Sequence, residues 1–234
     1  MRDMRKRRFR SAPGIFLVIA LIVVVGYLLG WSKALEIRTI EISASGNESL
    51  VKPILIPKDL RIGMPIARVS AQRISHDLAR FTWISSIKIN RRWLAHDVRI
   101  TITEHKAIAQ YVDSNGSTEY FDQKGFNFSS PNPPLGLPDI NFTLESPASR
   151  GAIASFLAQI PGDLTAHLSS LSVDSENHVE MTTTIPRFRN LVIVWGSTTD
   201  IPFKVKVLRQ LLALGENKKV TSADLSSPMT PVVK

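Results

Sequence analysis

Three histidines stand directly beside carboxylates, and such neighbours are the first candidates for acid–base chemistry in this chain. The pairs are His76-Asp77, His96-Asp97 and Glu104-His105. A general base needs its orienting carboxylate within hydrogen-bond reach. Adjacent side chains point to opposite faces of a strand and diverge by about 100° on a helix, so these pairs do not predict catalytic dyads.

The histidines also lack the spacing of a metal site. The chain has no His-x-x-x-His pair and no cysteine that would complete a zinc site. A Gly-x-Ser-x-Gly motif and a phosphate-binding glycine loop are missing as well. We therefore expect no enzyme activity, metal, cofactor or small-molecule substrate, and we expect solvated side chains at His76, His96, His105, His167 and His178.

Two other groups of residues invite a ligand-binding interpretation. Trp83 and Trp93 flank predicted strands, where an aromatic ring more often packs in a core or at a sheet edge than holds a ligand, and Trp195, at the end of a predicted strand, is expected in the core. Three basic residues on a predicted helix indicate a solvated face, with peptidoglycan or lipid headgroups as an alternative; they are Lys204, Lys206 and Arg209.

The stretch PGIFLVIALIVVVGYLLGW, from Pro13 to Trp31, contains no charged side chain. At about 1.5 Å of rise per residue it is just long enough for a hydrocarbon core of about 30 Å. Its aromatic residues Tyr27 and Trp31 are typical of a membrane interface. We predict a transmembrane helix over residues 13–32. A cleaved signal peptide is the alternative, because Ser32-Lys33-Ala34 resembles a cleavage site.

Charge predicts the orientation of this helix. Residues 1–12 form a basic tail in which Asp3 is outnumbered by Arg2, Arg5, Lys6, Arg7, Arg8 and Arg10. Because positively charged flanks stay in the cytoplasm, we expect the tail on the cytoplasmic side of a bacterial plasma membrane. The remaining domains are then expected on its outer side. The net charge of +9 therefore mainly reflects topology, and no basic patch interleaved with aromatic residues indicates nucleic-acid binding.

Residues 34–104 predict a small α+β domain. The segment EIRTIEIS predicts a strand, and the prolines that follow it rule out a long helix. In VSAQRISHDLARF, Ser70 is a candidate N-cap, and Ile74, Leu78 and Phe81 recur at helical spacing. The segments WISSIKINRR and DVRITITE alternate apolar and polar residues, which predicts two half-buried strands.

Residues 105–226 predict a mixed β-sheet domain with flanking helices. A hairpin is expected around the Asp113-Ser114-Asn115-Gly116 turn. Helices are expected over residues 152–159 and from about 200 to 215, and residues 227–234 are expected to be a loose tail. The remaining predicted strands, of which the third is apolar on both faces and hence central, are 168–173, 179–184, 190–195 and 220–226.

The order strand, helical region, helix, strand, strand is typical of a POTRA (polypeptide-transport-associated) domain. The stretch WISSIKINRRWLAHDVRITITEHKAIA resembles the FtsQ/DivIB family of bacterial cell-division proteins, although Leu94 and Lys106 replace usual prolines and His105 replaces a basic residue. The matching residues are Trp83, Ile84, Ile89, Arg91, Trp93, Glu104 and Ala107. Further stretches resemble the family in the same order, the last being similar to actinobacterial members: YFDQKGFNF, LPDI, VIVWGSTTDIPFKVKVLRQLL and ADLSSPMTPVVK.

This resemblance implies a non-enzymatic, bitopic scaffold of the divisome, located at the division septum. It implies FtsB-like and FtsL-like bitopic proteins as partners, with the septal synthase pair FtsW and FtsI further along. The alternative is an exported envelope enzyme or cell-wall-binding protein whose signal peptide is cleaved.

The last predicted strand is the candidate docking site for a partner. It has no later predicted strand to pair with, so it is a candidate sheet edge to which an extended segment can add. The resemblance implies that an FtsB-like partner binds there; a strand that merely closes the sheet is the alternative. Of the two substitutions Ala223→Pro and Leu225→Pro, one is expected to block docking. The predicted partner-binding residues are Val220, Thr221, Ser222, Ala223, Asp224, Leu225 and Ser226.

Overall fold

The computed structural model describes residues 12–31, 35–56 and 58–234. The chain divides into two compact units between Glu104 and His105. Two sets of predicted features lie outside the described residues: the Ser32-Lys33-Ala34 sequence, and the basic side chains Arg2, Arg5, Lys6, Arg7, Arg8 and Arg10.

The first helix, α1 (Ala12–Trp31), coincides with the apolar stretch. Its side chains are described from Gly14 to Tyr27, and the large apolar ones among them are exposed. Over the described residues, no helix has both the length and the apolar character needed to cross a membrane. The transmembrane helix over residues 13–32 therefore stays a prediction.

The first unit is a three-stranded sheet with two short helices. The central strand β3 runs parallel to β1 and antiparallel to β2. A 3-10 turn, Ile66–Arg68, precedes the second helix. The elements are β1 (Thr39–Ser43), α2 (Glu48–Leu55), α3 (Ala71–Leu78), β2 (Ile84–Arg92) and β3 (Asp97–Glu104).

Helix α3 confirms the local prediction from its sequence. The Ser70 hydroxyl accepts a hydrogen bond from the backbone N–H of Arg73 at 3.3 Å, which satisfies one of the free donors of the first turn. Ile74 and Leu78 are buried, as their spacing of four residues predicts. The alternation in β3 is confirmed too, because its apolar residues are buried and face the core: Val98, Ile100 and Ile102.

The second unit contains two sheets. Strands β4, β5 and β6 form a small antiparallel sheet, and the six-stranded sheet has the order β12-β11-β10-β9-β8-β7. The strands are β4 (Ala109–Val112), β5 (Thr118–Phe121), β6 (Asn127–Phe128), β7 (Ile140–Phe142), β8 (Leu168–Val173), β9 (Val179–Ile185), β10 (Phe188–Gly196), β11 (Ser222–Asp224) and β12 (Val232–Val233). The helices are α4 (Pro147–Gln159), α5 (Gly162–Thr165) and α6 (Ile201–Ala213).

The predicted central position of the third strand is confirmed, since β10 lies between β9 and β11. Its Trp195 is fully buried and packs edge-on against Phe156 of α4, with 5.6 Å between the ring centres. Helix α4 begins at Pro147 rather than at Ala152, because Ser146 and Ser149 form a reciprocal capping box. The prediction missed this start because serine at the third helical position is not the usual Glu or Gln.

Candidate partner-docking site

The predicted docking segment forms strand β11, which is shorter than predicted. Only Ser222 to Asp224 have strand geometry, and they pair in parallel with Val192 to Val194 of β10. The N–H of Leu225 extends this pairing by donating to the Val194 oxygen at 2.7 Å. The segment is therefore anchored along the central strand of the unit.

The prediction that no later strand pairs with residues 220–226 is wrong. Strand β12 lies antiparallel to β11, with Ala223 opposite Val233 and Asp224 opposite Val232. Ser222 and Lys234 exchange two backbone hydrogen bonds of 3.0 Å. Residues 227–234 are thus not a loose tail: they turn back and cover the outer side of β11.

A sequence signal for β12 was present. The segment Ser227-Pro228 is typical of a turn, and the N–H of Thr230 donates to the Ser227 oxygen at 2.9 Å. The β-branched pair Val232-Val233 that follows favours a strand. The prediction missed it because a two-residue strand has no measurable alternation.

The direction of the backbone groups in β11 corrects the proposed proline substitutions. The N–H of Leu225 points toward β10, and the two-residue period of a strand gives Ala223 the same direction. The N–H of Ser222 points toward β12, so that of Asp224 does as well. Ala223 and Leu225 are therefore the wrong positions for testing an outer edge, and Asp224 is the right one.

The side chains of this segment also alternate. Ala223 and Leu225 are fully buried, whereas Asp224 and Ser226 are exposed. A Cβ added to Gly196 at the end of β10 would lie 2.9 Å from the Ser226 Cα, so only glycine permits this approach. The core-facing side chains hold β11 in place, and the other two are open to solvent.

The prediction of a solvated basic face on α6 is wrong for Lys204. This side chain is buried, and its ammonium group donates to the backbone oxygens of Trp195 and Ser197. Lys206 and Arg209 are exposed, as predicted. The spacing of apolar residues in a helix predicts which side faces the core. It does not predict that backbone oxygens lie there to accept hydrogen bonds from a lysine.

One histidine has a carboxylate partner that its sequence neighbours do not reveal. His105 Nδ1 lies 2.8 Å from Asp122 Oδ2, and both side chains are largely buried. The imidazole stacks on Phe126, with 4.4 Å between ring centres. Burial raises the pKa of Asp122, but the hydrogen bonds from His105 and from the backbone of Phe126 and Lys124 outweigh it and lower the pKa. His105 is therefore not the solvated side chain that we expected.

The other histidines are scattered. His178 Nδ1 lies 3.1 Å from Asp174 Oδ2 at an exposed turn, and His96 Nδ1 lies 3.1 Å from the Glu36 backbone oxygen. The neighbours His76 and Asp77 approach to 3.6 Å at an exposed imidazole. Within the described ranges, no three His, Asp or Glu side chains are grouped as metal ligands.

Comparison with known proteins identifies the first unit. Residues 35–105 match the family model described as "POTRA domain, FtsQ-type". We call this matched segment, residues 35–105, the POTRA domain. The chain is 24% identical to "Cell division protein FtsQ" of Mycobacteroides abscessus, over 94% of this chain and 68% of that protein. It is 23% identical to the protein of the same name from Streptomyces griseus, over 87% of this chain and 97% of that protein. The resemblance to FtsQ proteins is thereby confirmed.

The residues that carry this resemblance lie at the sheet of the POTRA domain. Trp83 is buried and packs against Phe81, with 5.7 Å between ring centres, as a core aromatic should. Arg91 Nη2 donates to the Val69 backbone oxygen at 2.9 Å, which joins β2 to the turn before α3. Trp93, in the turn between β2 and β3, is 37% exposed, so of the two predicted positions, core or sheet edge, it does not lie in the core.

Proposed function

We propose that the protein is a non-enzymatic scaffold that assembles other proteins at the bacterial division septum. The FtsQ-type POTRA domain and the similarity to two proteins named for cell division support this function. FtsB-like and FtsL-like bitopic proteins are the proposed direct partners, and FtsW and FtsI are the proposed later members of the assembly.

The scaffold is proposed to be anchored by residues 13–32 and oriented by the basic tail. Large apolar side chains project from all around α1, including Phe16 and Leu17, and lipid would cover them. Positive charge before the helix favours a cytoplasmic amino-terminal side. Residues 35–104 of the first unit, and the second unit, then lie outside the plasma membrane.

The single observation that carries the docking proposal is the difference between the two edges of the six-stranded sheet. At one edge, the residues just before β7 contact β4 of the small sheet: the Gln110 N–H donates to the Pro138 oxygen at 3.0 Å, and Gln110 forms an isolated parallel β-bridge with Asp139. At the other edge, β11 is covered by the two-residue strand β12. The cover at β11 involves few hydrogen bonds, so an incoming strand can replace it.

Replacement requires that the new strand form the hydrogen bonds that β12 now makes. The N–H of Ser222 already donates to the backbone oxygen of Lys234, the residue after β12, and the N–H of Asp224 has the same direction. A partner strand that offers backbone groups at this spacing satisfies both donors. Exposed Asp224 and Ser226 would contribute to specificity.

Opposite substitutions across the β11–β12 pair test this proposal. Asp224→Pro removes an N–H that the partner needs, so co-purification of the FtsB-like protein with the full-length chain should be lost. Val232→Pro weakens β12 while leaving β11 intact, so co-purification should rise severalfold because a competing strand is removed. Hydrogen exchange of β10 in each variant checks that the sheet is still folded.

The results separate three cases. Loss with Asp224→Pro and gain with Val232→Pro support strand replacement at β11. Loss with both substitutions would place the contact on the outer side of β12. Unchanged binding with both, in folded protein, would contradict docking at this edge.

A further inference from the structure

The turn between β9 and β10 has an arginine where the backbone favours glycine. Pro186 and Arg187 form the turn, and Ile185 pairs with Phe188 across it. Arg187 has a φ of 82°. Proline fixes a negative φ at the first position, and a positive φ at the second is typical of a type II turn, which favours glycine there. An arginine that destabilises its own turn is a candidate functional residue.

A second guanidinium group lies beside the first. Phe188 is buried, whereas Arg187 and Arg189 on either side of it are exposed. Both arginines line an open pocket of about 520 Å³ together with His167, Thr184, Ile185 and Pro186, which we name the Arg187 pocket. The Thr184 N–H donates to the His167 oxygen at 3.1 Å, which fixes the backbone of His167 beside the pocket.

The pocket contains positive charge without an internal counter-charge. Among the described residues, no carboxylate lines it. Other arginines of the chain pair with acids, as Arg150 does with Glu145 and Arg209 with Asp163. Within the part of the chain that the structure describes, neither Arg187 nor Arg189 has an ion-pair partner. An external anion would supply the missing charge.

We propose that the Arg187 pocket is a binding site for a phosphate group. Guanidinium groups bind phosphate oxygens through paired hydrogen bonds. A phosphate monoester has up to two negative charges and three free oxygens, and the phosphodiester of a lipid headgroup has one charge and two free oxygens. Either can accept hydrogen bonds from two guanidinium groups at once. Ile185 and Pro186 provide an apolar wall for the carbon part of the ligand. The phosphate belongs either to a lipid headgroup or to a soluble phosphate ester.

Phosphorus NMR on the full-length protein, in a detergent without phosphorus, tests the site and its source. Glycerol phosphate is the soluble probe, and a short-chain phosphatidylglycerol is the lipid probe. We expect at least one probe to show line broadening that saturates with protein concentration. Arg187→Gly should weaken that binding by about tenfold or more, because one of the two paired contacts is lost.

The same substitution should not harm the fold. Glycine accepts a positive φ, so the melting temperature of Arg187→Gly should equal that of the wild type or exceed it by up to about 3 °C. Arg209→Ala is the matched control, since it removes one exposed positive charge from the same unit and should leave binding unchanged.

Each result has one meaning. Arg187-dependent binding of the lipid probe alone identifies a headgroup site, and Arg187-dependent binding of glycerol phosphate identifies a site for soluble esters. Equal binding by wild type and Arg187→Gly would overturn the proposal, as would an equal loss with Arg209→Ala. Succinate that displaces the bound phosphorus probe as effectively as unlabelled competitor of the same probe would show a general anion site and overturn the assignment to phosphate.

Discussion

The ammonium group of Lys204 donates a hydrogen bond to the backbone oxygen of Trp195, with 2.7 Å between Nζ and O. A second bond of 2.8 Å reaches the Ser197 oxygen. The side chain is 2% exposed, and this burial lowers the pKa of Lys204, while the Asp200 carboxylate opposes the shift. One buried lysine therefore connects α6 to the end of the central strand β10.

Lys204→Ala should lower the free energy of local opening at β10 and α6 by about 2–4 kcal/mol, since it leaves a cavity and two unsatisfied carbonyl groups. Hydrogen exchange followed by mass spectrometry of the full-length protein measures this change. Lys206→Ala, on the exposed side of the same helix, is the control and should change it by less than about 0.5 kcal/mol. Equal effects of the two substitutions would contradict a structural role for Lys204.

The hydrogen bond between His105 and Asp122 is expected to stabilise the second unit. His105→Gln should lower the free energy of local opening around β5 and β6 by about 1–3 kcal/mol, because Asp122 is left largely buried without that donor. His178→Gln, at an exposed Asp174 pair, should have an effect near zero. Replacement of all five histidines together by Asn or Gln should leave division function intact if the full-length protein still folds. Loss of function in a fully stable variant would contradict a non-enzymatic scaffold.

Gly125 lies at a position where a side chain does not fit. Its φ is 75°, and an added Cβ would lie 2.6 Å from the Gly151 nitrogen of α4. Gly125→Ala should lower the free energy of unfolding by more than about 2 kcal/mol. Gly116 has a similar φ of 78°, but an added Cβ would meet nothing within 4 Å. Gly116→Ala should therefore cost only the free energy of holding alanine at a positive φ, about 1 kcal/mol. Thermal melts of the full-length variants should therefore rank Gly125→Ala well below Gly116→Ala.

Acid should weaken the POTRA domain through Asp97. Arg92 Nε donates to Asp97 Oδ1 at 2.7 Å, and this hydrogen bond lowers the pKa of Asp97 from its ordinary 3.8. The stabilisation is present above the unfolded pKa and is lost as pH falls through the lower folded pKa. Urea midpoints between about pH 6 and about pH 2 should therefore fall more for wild type than for Asp97→Asn.

Glu41→Gln is the control for this titration. Glu41 pairs with Arg99 at 2.6 Å, but both side chains are 47% exposed, so the pair adds little to stability. The acid dependence of this variant should match that of the wild type. An Asp97→Asn curve parallel to the wild-type curve would show that other carboxylates dominate.

The anchor prediction concerns the intact cell. If residues 13–32 are retained, the protein should pellet with membranes, resist carbonate extraction and keep its basic tail by mass spectrometry. Release of a soluble form that begins near Leu35 in wild-type cells would show signal cleavage instead.

The sequence alone determined the elements that depend on near neighbours. Ser70 and the four-residue spacing of Ile74 and Leu78 define α3, because capping and a buried helical face both act within two turns. The alternation in DVRITITE defines β3, since a strand with one buried face has period two. The ordered motifs around these elements were sufficient to identify the resemblance to FtsQ proteins.

Only the tertiary structure decided which distant groups meet. In the sequence, Lys204 resembles an exposed helical lysine. In the structure, its ammonium group donates to the backbone oxygens of Trp195 and Ser197. His105 and Asp122 pair because two separate segments are brought together, and β11 is covered because residues 227–234 turn back. Hydrogen-bond partners of this kind are set by the packed chain, since a polar side chain or strand edge is equally compatible in sequence with water or with another backbone.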